Sequence, residues 1–479
     1  MAQVRSAAST LSVSRVAVIA PTHIGDTAIA ALRARGLDAR AASRSDSLFE
    51  EVVAWALETS PTATAAVELA QTCERAAATG RPVCLLAPQP RGSGRAAIER
   101  AAGLAYLRAH GAAVSHDIDA WLEAVVALVR FGMPTGPRAA VIAPPGSWLE
   151  AQALAIVADA EATGARPPVI GRGKADEPTD VVLFDPALGP PPASLPGLHV
   201  PVIARAELGS DAPALYGARD ALNAFAVLGR AAARITVGTG PAPQSASASL
   251  EIDRDRLARQ SEFFGHLPAG MRVGDHETKV LLASYGVPVT RQIQAQTPSA
   301  AVKAARKVGF PVELKPWGHA VPTEPEGCPI ERNVTSDALV RRAFSAVLAA
   351  AGRPSTHADP GVVIVREAPP QGRDLKVIFL QLPALGWTVV LDAPGAQQIA
   401  AAPAPLRVID AEMLAATVVA SRSDDPDPDR TGLANLLRRA SHLVVDLGAR
   451  IQRLELPRVV VGSRGSRSVV VDSWSQIAD

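Results

Sequence analysis

The sequence predicts an α/β protein built largely from parallel, doubly wound sheets. Three observations predict it. Short apolar runs such as RVAVI, PVCLLA, VVLF and HVPVIA alternate with longer segments of helical spacing. Glycines follow several of those segments, at Gly36, Gly80, Gly286 and Gly309, where a helix C-cap favours them. Pro/Gly-rich stretches at 134–137 and 239–249 divide the chain into blocks.

A chain of 479 residues is long enough for two to four domains with substantial cores. Its net charge is +1, with no basic run, so it carries no electrostatic footprint for nucleic acid. No apolar run reaches the length of a membrane span, and Arg15 interrupts any signal-peptide core. Cys73, Cys84 and Cys328 are scattered and odd in number, which suits a reducing cytoplasm and offers no zinc spacing. The richness in Ala, Arg and Pro reads as a GC-rich bacterial genome rather than a mechanism.

In order, residues 1–14 read as a flexible arm. A strand is expected over 15–20, a helix over 27–35 and a strand over 37–42. Residues 49–57 read as helical, 65–69 as a strand or short helix, 72–79 as a helix and 82–87 as a strand. The loop PTHIGDT after the first strand could point backbone N–H groups at an anion, but it has one glycine. After 134–137, a strand is expected over 138–143, PPGSW as a turn, and a helix over 149–162. Strands over 179–184 and 199–204 and a long helix over 218–235 complete this block. Residues 239–249 read as a flexible linker and 250–264 as a helix.

The segment DHETKVLLASYGVPVT supplies a helix over 277–285 with Val280, Leu281 and Leu282 on its apolar side, then a strand from 287. Ser299 is expected to cap a helix through 307, and a strand over 311–314 delivers Lys315. This order resembles the opening of the ATP-grasp domain in ADP-forming acyl-CoA synthetases (the acetate–CoA ligase family). There E-x-K-x-L-L-x-x-Y-G-I-P-V precedes G-(F/Y)-P-V-V-L-K. The alternative is an ordinary helix–turn–strand unit with a surface lysine. The resemblance places Lys279 and Lys315 at the ATP-binding positions. GVVIVREAPPQGRDL is similar to the family's hinge and places Glu367 against adenine, with Asp374 where the family has glutamate.

The preceding blocks resemble the family's two flavodoxin-like, succinyl-CoA-ligase-like domains. The resemblance implies domains over 15–133 and 138–237, a linker and lead helix over 238–260, and an ATP-grasp domain over 261–479. Counting back from Gly111, the family's phosphohistidine falls on Gly92, within RGSG, and no histidine lies between Cys84 and His110. His110 and His116 read as solvated, although a histidine–carboxylate pair can orient an imidazole. A glycine-rich loop is reduced to Pro144-Pro145-Gly146-Ser147, and prolines lack N–H donors. No segment before residue 15 supplies the family's CoA-binding domain.

Further departures fall in the ATP-grasp part. The loop H-K-S-D-V-G-G-V becomes TEPEGCPI, putting Glu324 where a basic residue is expected and Pro329 where a donor is needed. F-G-L-G-G becomes residues 391–395. In QRLELPRVV, Leu454 and Leu456 replace the aspartate and asparagine that hold Mg²⁺, and leucine cannot ligate a hard cation. Glu455 is then the one carboxylate left as a metal ligand, and Asp472 matches a structural position. The resemblance therefore implies an acyl-CoA-synthetase-like protein with a degenerate site, binding ATP or ADP at most and serving as a pseudoenzyme, scaffold or regulatory subunit. The alternative is an active acid–CoA ligase working with a partner chain. Homo-oligomerisation is also an expectation of the family, and a nucleic-acid or membrane partner is not.

Overall fold

The computed structural model describes residues 15–43, 51–92, 94–163, 169–171, 179–188, 195–204, 214–352, 361–392, 399–418 and 428–479. They fall into two compact units, one from within 1–89, 106–161 and 166–239, the other from within 90–105, 162–165 and 240–479. The expected arm at 1–14, the stretch 189–194 and the loop 393–398 lie outside the described residues.

In the first unit the chain runs β1 (Arg15–Ile19), α1 (Thr22–Ala34), β2 (Asp38–Ala41), β3 (Val52–Ala56), α2 (Ala63–Ala78) and β4 (Cys84–Leu86). After α3 (Arg95–Ala109), whose residues 95–105 group with the second unit, it continues through β5 (Ala113–Ser115) and α4 (Ile118–Arg130). The strands pair in parallel in the order β2-β1-β3-β4-β5. This is a doubly wound sheet of flavodoxin-like order. A second sheet follows, from β6 (Ala139–Ile142), α5 (Trp148–Thr163), β7 (Val169–Gly171), β8 (Val181–Phe184), β9 (Leu198–Ile203), β10 (Leu215–Tyr216) and α6 (Ala218–Val237). Its order, β10-β9-β8-β6-β7, is again parallel and repeats the first when read from β7.

Two local expectations are corrected here. Residues 49–57 read as helical, but Val52–Ala56 is a strand buried at every position. A short apolar run has no period that separates strand from helix, and the centre of a parallel sheet accepts an uninterrupted one. Residues 65–69 and 72–79 form one helix, capped by the Thr62 side chain. The boundary at 134–137 separates two sheets rather than two cores. Val18, Ala54, Trp121, Val141, Leu183 and Phe225 all belong to one buried cluster. Glu123 on α4 pairs with Arg35 at 2.7 Å and accepts the Tyr216 N–H of β10 at 3.1 Å, while Arg35 stacks on the Tyr216 ring at 3.8 Å.

The second unit contains α7 (Arg254–Gly265), β11 (Arg272–Val273), α8 (Asp275–Ser284), β12 (Gln292–Ala295), α9 (Pro298–Val308), β13 (Val312–Pro316), β14 (Glu331–Val334) and α10 (Asp337–Ala350). Then come β15 (Val363–Glu367), β16 (Arg373–Leu382), β17 (Gly386–Asp392), β18 (Ala400–Pro403), α11 (Val408–Ala416), α12 (Arg430–Leu447), β19 (Ile451–Val461) and β20 (Val469–Ile477). A four-stranded sheet, β12-β15-β13-β14, packs Val312, Leu314, Val363 and Val365 with residues of α9 and α10. A six-stranded sheet, β11-β20-β19-β16-β17-β18, packs Leu375, Val377, Leu454 and Leu456 with residues of α8, α11 and α12.

Smaller corrections concern caps and a linker. Thr297, not Ser299, caps α9, because its hydroxyl accepts from the Ala300 N–H. The strand expected from 287 begins at Gln292, and only Val289 bridges earlier, to Val470. Val280 is half-buried on α8, while Lys279 beside it is buried. The end of the expected linker, Gln244–Ser249, is a 3-10 helix. Just before it, the Ala242 N–H donates to Pro405 O at 2.9 Å. Among the described residues no helix is long and apolar enough to cross a membrane.

Candidate functional site

The site of the second unit is built on the face of the small sheet opposite its apolar core. Side chains alternate along a strand, so Val312 and Leu314 enter the core while Glu313 and Lys315 take the other face. In the antiparallel register Glu313 lies across from Arg366 and Lys315 across from Ile364. The Arg366–Glu313 pair closes at 2.6 Å. From the large sheet, Leu454 and Leu456 enter the core, and Glu455 between them takes the opposite face.

Two β-bulges then re-aim the side chains beyond Glu455. Glu455 pairs with Trp474, Arg458 with Asp472 and Val459 with Val470. The unequal steps insert one extra residue in each strand, Val471 being the extra one in β20. The Val471 carbonyl accepts Lys279 Nζ at 2.7 Å and Arg366 Nη1 at 2.9 Å.

Asp275 is the hub. It lies in the first turn of α8, four residues before Lys279, where a carboxylate suits a helix N-terminus. One oxygen accepts Lys279 Nζ at 3.0 Å and Lys315 Nζ at 2.8 Å. The other accepts the Ser473 N–H at 2.9 Å and the Ser473 hydroxyl at 3.1 Å. Lys315 also reaches Asp472 at 2.9 Å. Lys279 completes its shell with Thr290 Oγ1 at 2.9 Å and Gln292 Oε1 at 3.1 Å.

Burial opposes every charge in this cluster. It pulls the Lys279 ammonium down to about 8, against the attraction of Asp275. Burial also works against Lys315, but Asp275 and Asp472 outweigh it and its pKa rises. Asp275 is held below the usual carboxylate range, since Lys279 and Lys315 together exceed its burial cost. Two ammonium groups against two carboxylates leave this core neutral.

The loop after β13 covers it. Trp317 Nε1 donates to Glu277 at 2.9 Å, and His319 Nδ1 accepts the Gly274 N–H at 3.2 Å. A Cβ on Gly274 would lie 2.9 Å from Gly318 O, so this close approach of backbones requires glycine. The Thr323 N–H donates to Glu326 Oε2 at 2.8 Å and the Glu326 N–H to Thr323 O at 2.9 Å, around a 3-10 turn, Glu324–Glu326, closed by left-handed Gly327. The Glu324 N–H donates to Asp472 Oδ2 at 2.8 Å. Its carboxylate, only 5% exposed, is gripped by Arg366, by Arg332 at 3.0 Å and by Arg458 at 2.7 Å. The cavity left beside Lys315, lined by Arg272, Asp275, Trp317, Thr323, Asp472 and Trp474 among others, holds about 20 Å³. That is room for a water, not for a ligand needing roughly 300 Å³ or more.

Glu324 predicts an acid sensitivity. Burial raises its cost of ionisation, yet Arg366 foremost, then Arg458 and Arg332, hold its pKa at about 2 against an ordinary 4.5. A lowered carboxylate pKa gives stability that is complete above 4.5 and is lost as pH falls toward 2. Hydrogen exchange in the 317–328 loop is therefore expected to accelerate across that interval. Burial also opposes the charge of Glu326 in this loop, but the Thr323 N–H and Arg272 hold its pKa at about 2, so in Glu324→Gln the step should shrink to the part that Glu326 carries.

The other expected site residues make ion pairs of their own. Glu367, at the end of β15, accepts the Arg291 N–H at 2.9 Å and Arg291 Nε at 2.7 Å, and pairs with Arg467 at 2.6 Å. Burial opposes its charge, but these donors lower its pKa. Asp374 pairs with Arg458 at 3.1 Å. Glu455 is 6% exposed and pairs with Lys376 at 3.2 Å and with Arg453. No group of three or more His, Cys, Asp or Glu able to hold a metal occurs among the described residues. Magnesium does not fit these donors: Leu454 and Leu456 are in the core, Glu455 is doubly paired, and Asp275 and Asp472 already enclose an ammonium.

Gly92, between β4 and α3, has φ +93°, and a hypothetical Cβ there would touch nothing within 4 Å. His116 Nδ1 donates to Ala87 O at 2.8 Å, which leaves Nε2 to accept Arg108 Nη2 at 2.8 Å. Burial foremost, with the nearby arginines, lowers its pKa. His110, expected to be solvated, is 5% exposed and donates from Nδ1 to Tyr106 O at 2.7 Å. In the reduced loop the Gly146 N–H is taken by Glu150 at 2.5 Å. Burial pushes the Cys73 and Cys84 thiols up to about 12, so neither is a reactive thiolate.

Sequence reasoning missed Asp275, Glu313 and Arg366. The spacing of Asp275 and Lys279 on one helix face was the available signal for the first. A charge within each apolar strand run was the signal for the other two.

Residues 270–474 match the model of a family described as the ATP-grasp domain. This segment is an ATP-grasp domain. Its homologues are ADP-forming acyl-CoA ligases. One is a 4-hydroxybutyrate–CoA ligase of Nitrosopumilus maritimus, 25% identical over 209 residues, covering 41% of this chain and 30% of that protein. Another is the beta subunit of acetate–CoA ligase II of Pyrococcus furiosus, 23% identical over 209 residues, covering 42% of this chain and 89% of the subunit. The chain thus spans under a third of the first relative's length. A solved acetyl-coenzyme A synthetase 1 of Ca. Korarchaeum cryptofilum, bound to coenzyme A and Ca-AMPCP, is 24% identical, with 47% of this chain and 99% of that one covered and a TM-score of 0.39.

Proposed function

We propose that this chain is a degenerate relative of the ADP-forming acyl-CoA ligases, a scaffold or regulatory subunit whose ATP-grasp cleft binds ATP or ADP weakly at most. One observation carries the reading. The Lys315 ammonium, which would neutralise a phosphate, is already neutralised by Asp275 and Asp472 in a cavity of about 20 Å³. A triphosphate would have to displace two buried carboxylates from a neutral cluster and open the loop above it. With no magnesium donor set beside Lys315 among the described residues, phosphoryl transfer lacks the charge that stabilises it elsewhere.

The test is calorimetric titration with ATP and ADP, with and without Mg²⁺, beside an assay for ADP release dependent on CoA and an acid. Dissociation constants weaker than about 100 µM and no ADP release by the chain alone are expected. ADP release by the chain alone would overturn the reading. A second reading, an active ligase completed by a partner chain, is favoured by the homology to a subunit named beta. It requires ADP release to appear when a candidate partner is added.

A further inference from the structure

We propose that Arg332, Arg366 and Arg458 form a binding site for a phosphate-bearing anion, filled in this structure by the chain's own Glu324 carboxylate as an internal ligand. This deepens the proposed reading of the ATP-grasp cleft and rests on it, because the same loop covers Lys315.

The geometry is that of an anion pocket rather than of scattered surface pairs. The three guanidinium groups come from three strands or strand edges: Arg332 from β14, Arg366 from β15 and Arg458 from β19. All three reach the one carboxylate, with Arg332 and Arg458 sharing a single oxygen at 3.0 and 2.7 Å. Guanidinium forks converging on one point suit a tetrahedral oxyanion, which offers more acceptor oxygens than a carboxylate. Charge balance points the same way. The remaining carboxylates on these arginines are Glu313, on Arg366 and Arg332, and Asp374, on Arg458. Three positive charges therefore face three negative ones, and withdrawal of Glu324 leaves one positive charge unmatched.

The element that carries Glu324 is a single 3-10 turn, so its release breaks few contacts. The turn Glu324–Glu326 is closed by the Thr323 N–H on the Glu326 carboxylate at 2.8 Å and by the Glu326 N–H on Thr323 O at 2.9 Å. It is fastened by the Glu324 carboxylate, by the Glu324 N–H on Asp472, and by Glu326, whose carboxylate pairs with Arg272 of β11 at 2.8 Å. Asp472 also holds Lys315, so an anion that displaces Glu324 removes a neighbour from the lysine's own carboxylate. The occupant class is a phosphate or diphosphate group, and its entry and the opening of the Lys315 cleft are one event.

The experiment titrates the full chain with inorganic pyrophosphate and, separately, ATP, using wild type, Glu324→Gln and Glu324→Gln/Arg458→Gln. Pyrophosphate is expected to bind Glu324→Gln at least about tenfold more tightly than wild type, with the gain lost in the double variant. Equal affinity in folded wild type and Glu324→Gln overturns the proposal. If Glu324→Gln does not fold, wild type decides. Saturating pyrophosphate should speed hydrogen exchange at the Glu324 and Gly327 amides, and unchanged or slower exchange refutes it. Lys315-dependent ATP binding in wild type with no gain in Glu324→Gln sinks the internal ligand alone. A pyrophosphate gain with no ATP binding in any variant removes the nucleotide reading and leaves the anion site standing.

Discussion

Replacing Arg366 by alanine is expected to destabilise the ATP-grasp unit by about 3–5 kcal/mol, the usual cost of stranding buried partners of a charge. Arg366 is fully buried and satisfies Glu313, Glu324 and the Val471 carbonyl at once. Among the described residues, truncation leaves Glu313 with Arg332 as its one cation, at 3.8 Å, and its side chain is 6% exposed. Hydrogen exchange on β13 and β15 under increasing denaturant would read the loss. A cost below about 1 kcal/mol would show that water enters the network and satisfies the carboxylates. Arg366→Met combined with Glu313→Gln and Glu324→Gln should recover at least half of the loss, because removing a buried network whole costs less than breaking it.

Lys315→Met is expected to cost a similar amount, about 3–5 kcal/mol, for the same reason. Asp472 loses its ammonium, while Asp275 keeps Lys279. Adding Asp472→Asn should restore most of this stability, since an amide oxygen can still accept the Glu324 N–H. The two variants separate folding from binding. Both are expected to lack any calorimetric response to ATP, although only the single variant is unstable. ATP binding by Lys315→Met/Asp472→Asn at wild-type affinity would remove Lys315 from the nucleotide reading. Stability unchanged in Lys315→Met would show that the Asp275–Lys315–Asp472 contacts add nothing to the fold.

The sequence by itself determined the elements whose causes are local. Gly286 and Gly309 end α8 and α9 where they were expected to, because a cap is decided within one turn of helix. The two parallel sheets were legible for the same reason, since apolar strands alternating with helices have few arrangements. Where a local signal was ambiguous, as in the apolar run Val52–Ala56, the sheet decided, because burial on both faces permits a strand that periodicity cannot identify. The placement of Lys315 at the end of a strand was also legible.

Tertiary structure alone decided what surrounds that lysine. Its partner Asp472 is 157 positions away, and two bulges aim Asp472 and Arg458 toward the same cluster. A bulge shifts the face of every later side chain by one, and alternation read from sequence does not register it. In the sequence Glu324 only stood where the resemblance expects a basic residue. Its charge is neutralised by arginines brought from three separate strands, and the electrostatics of a site depend on those distances rather than on the order of residues in the chain.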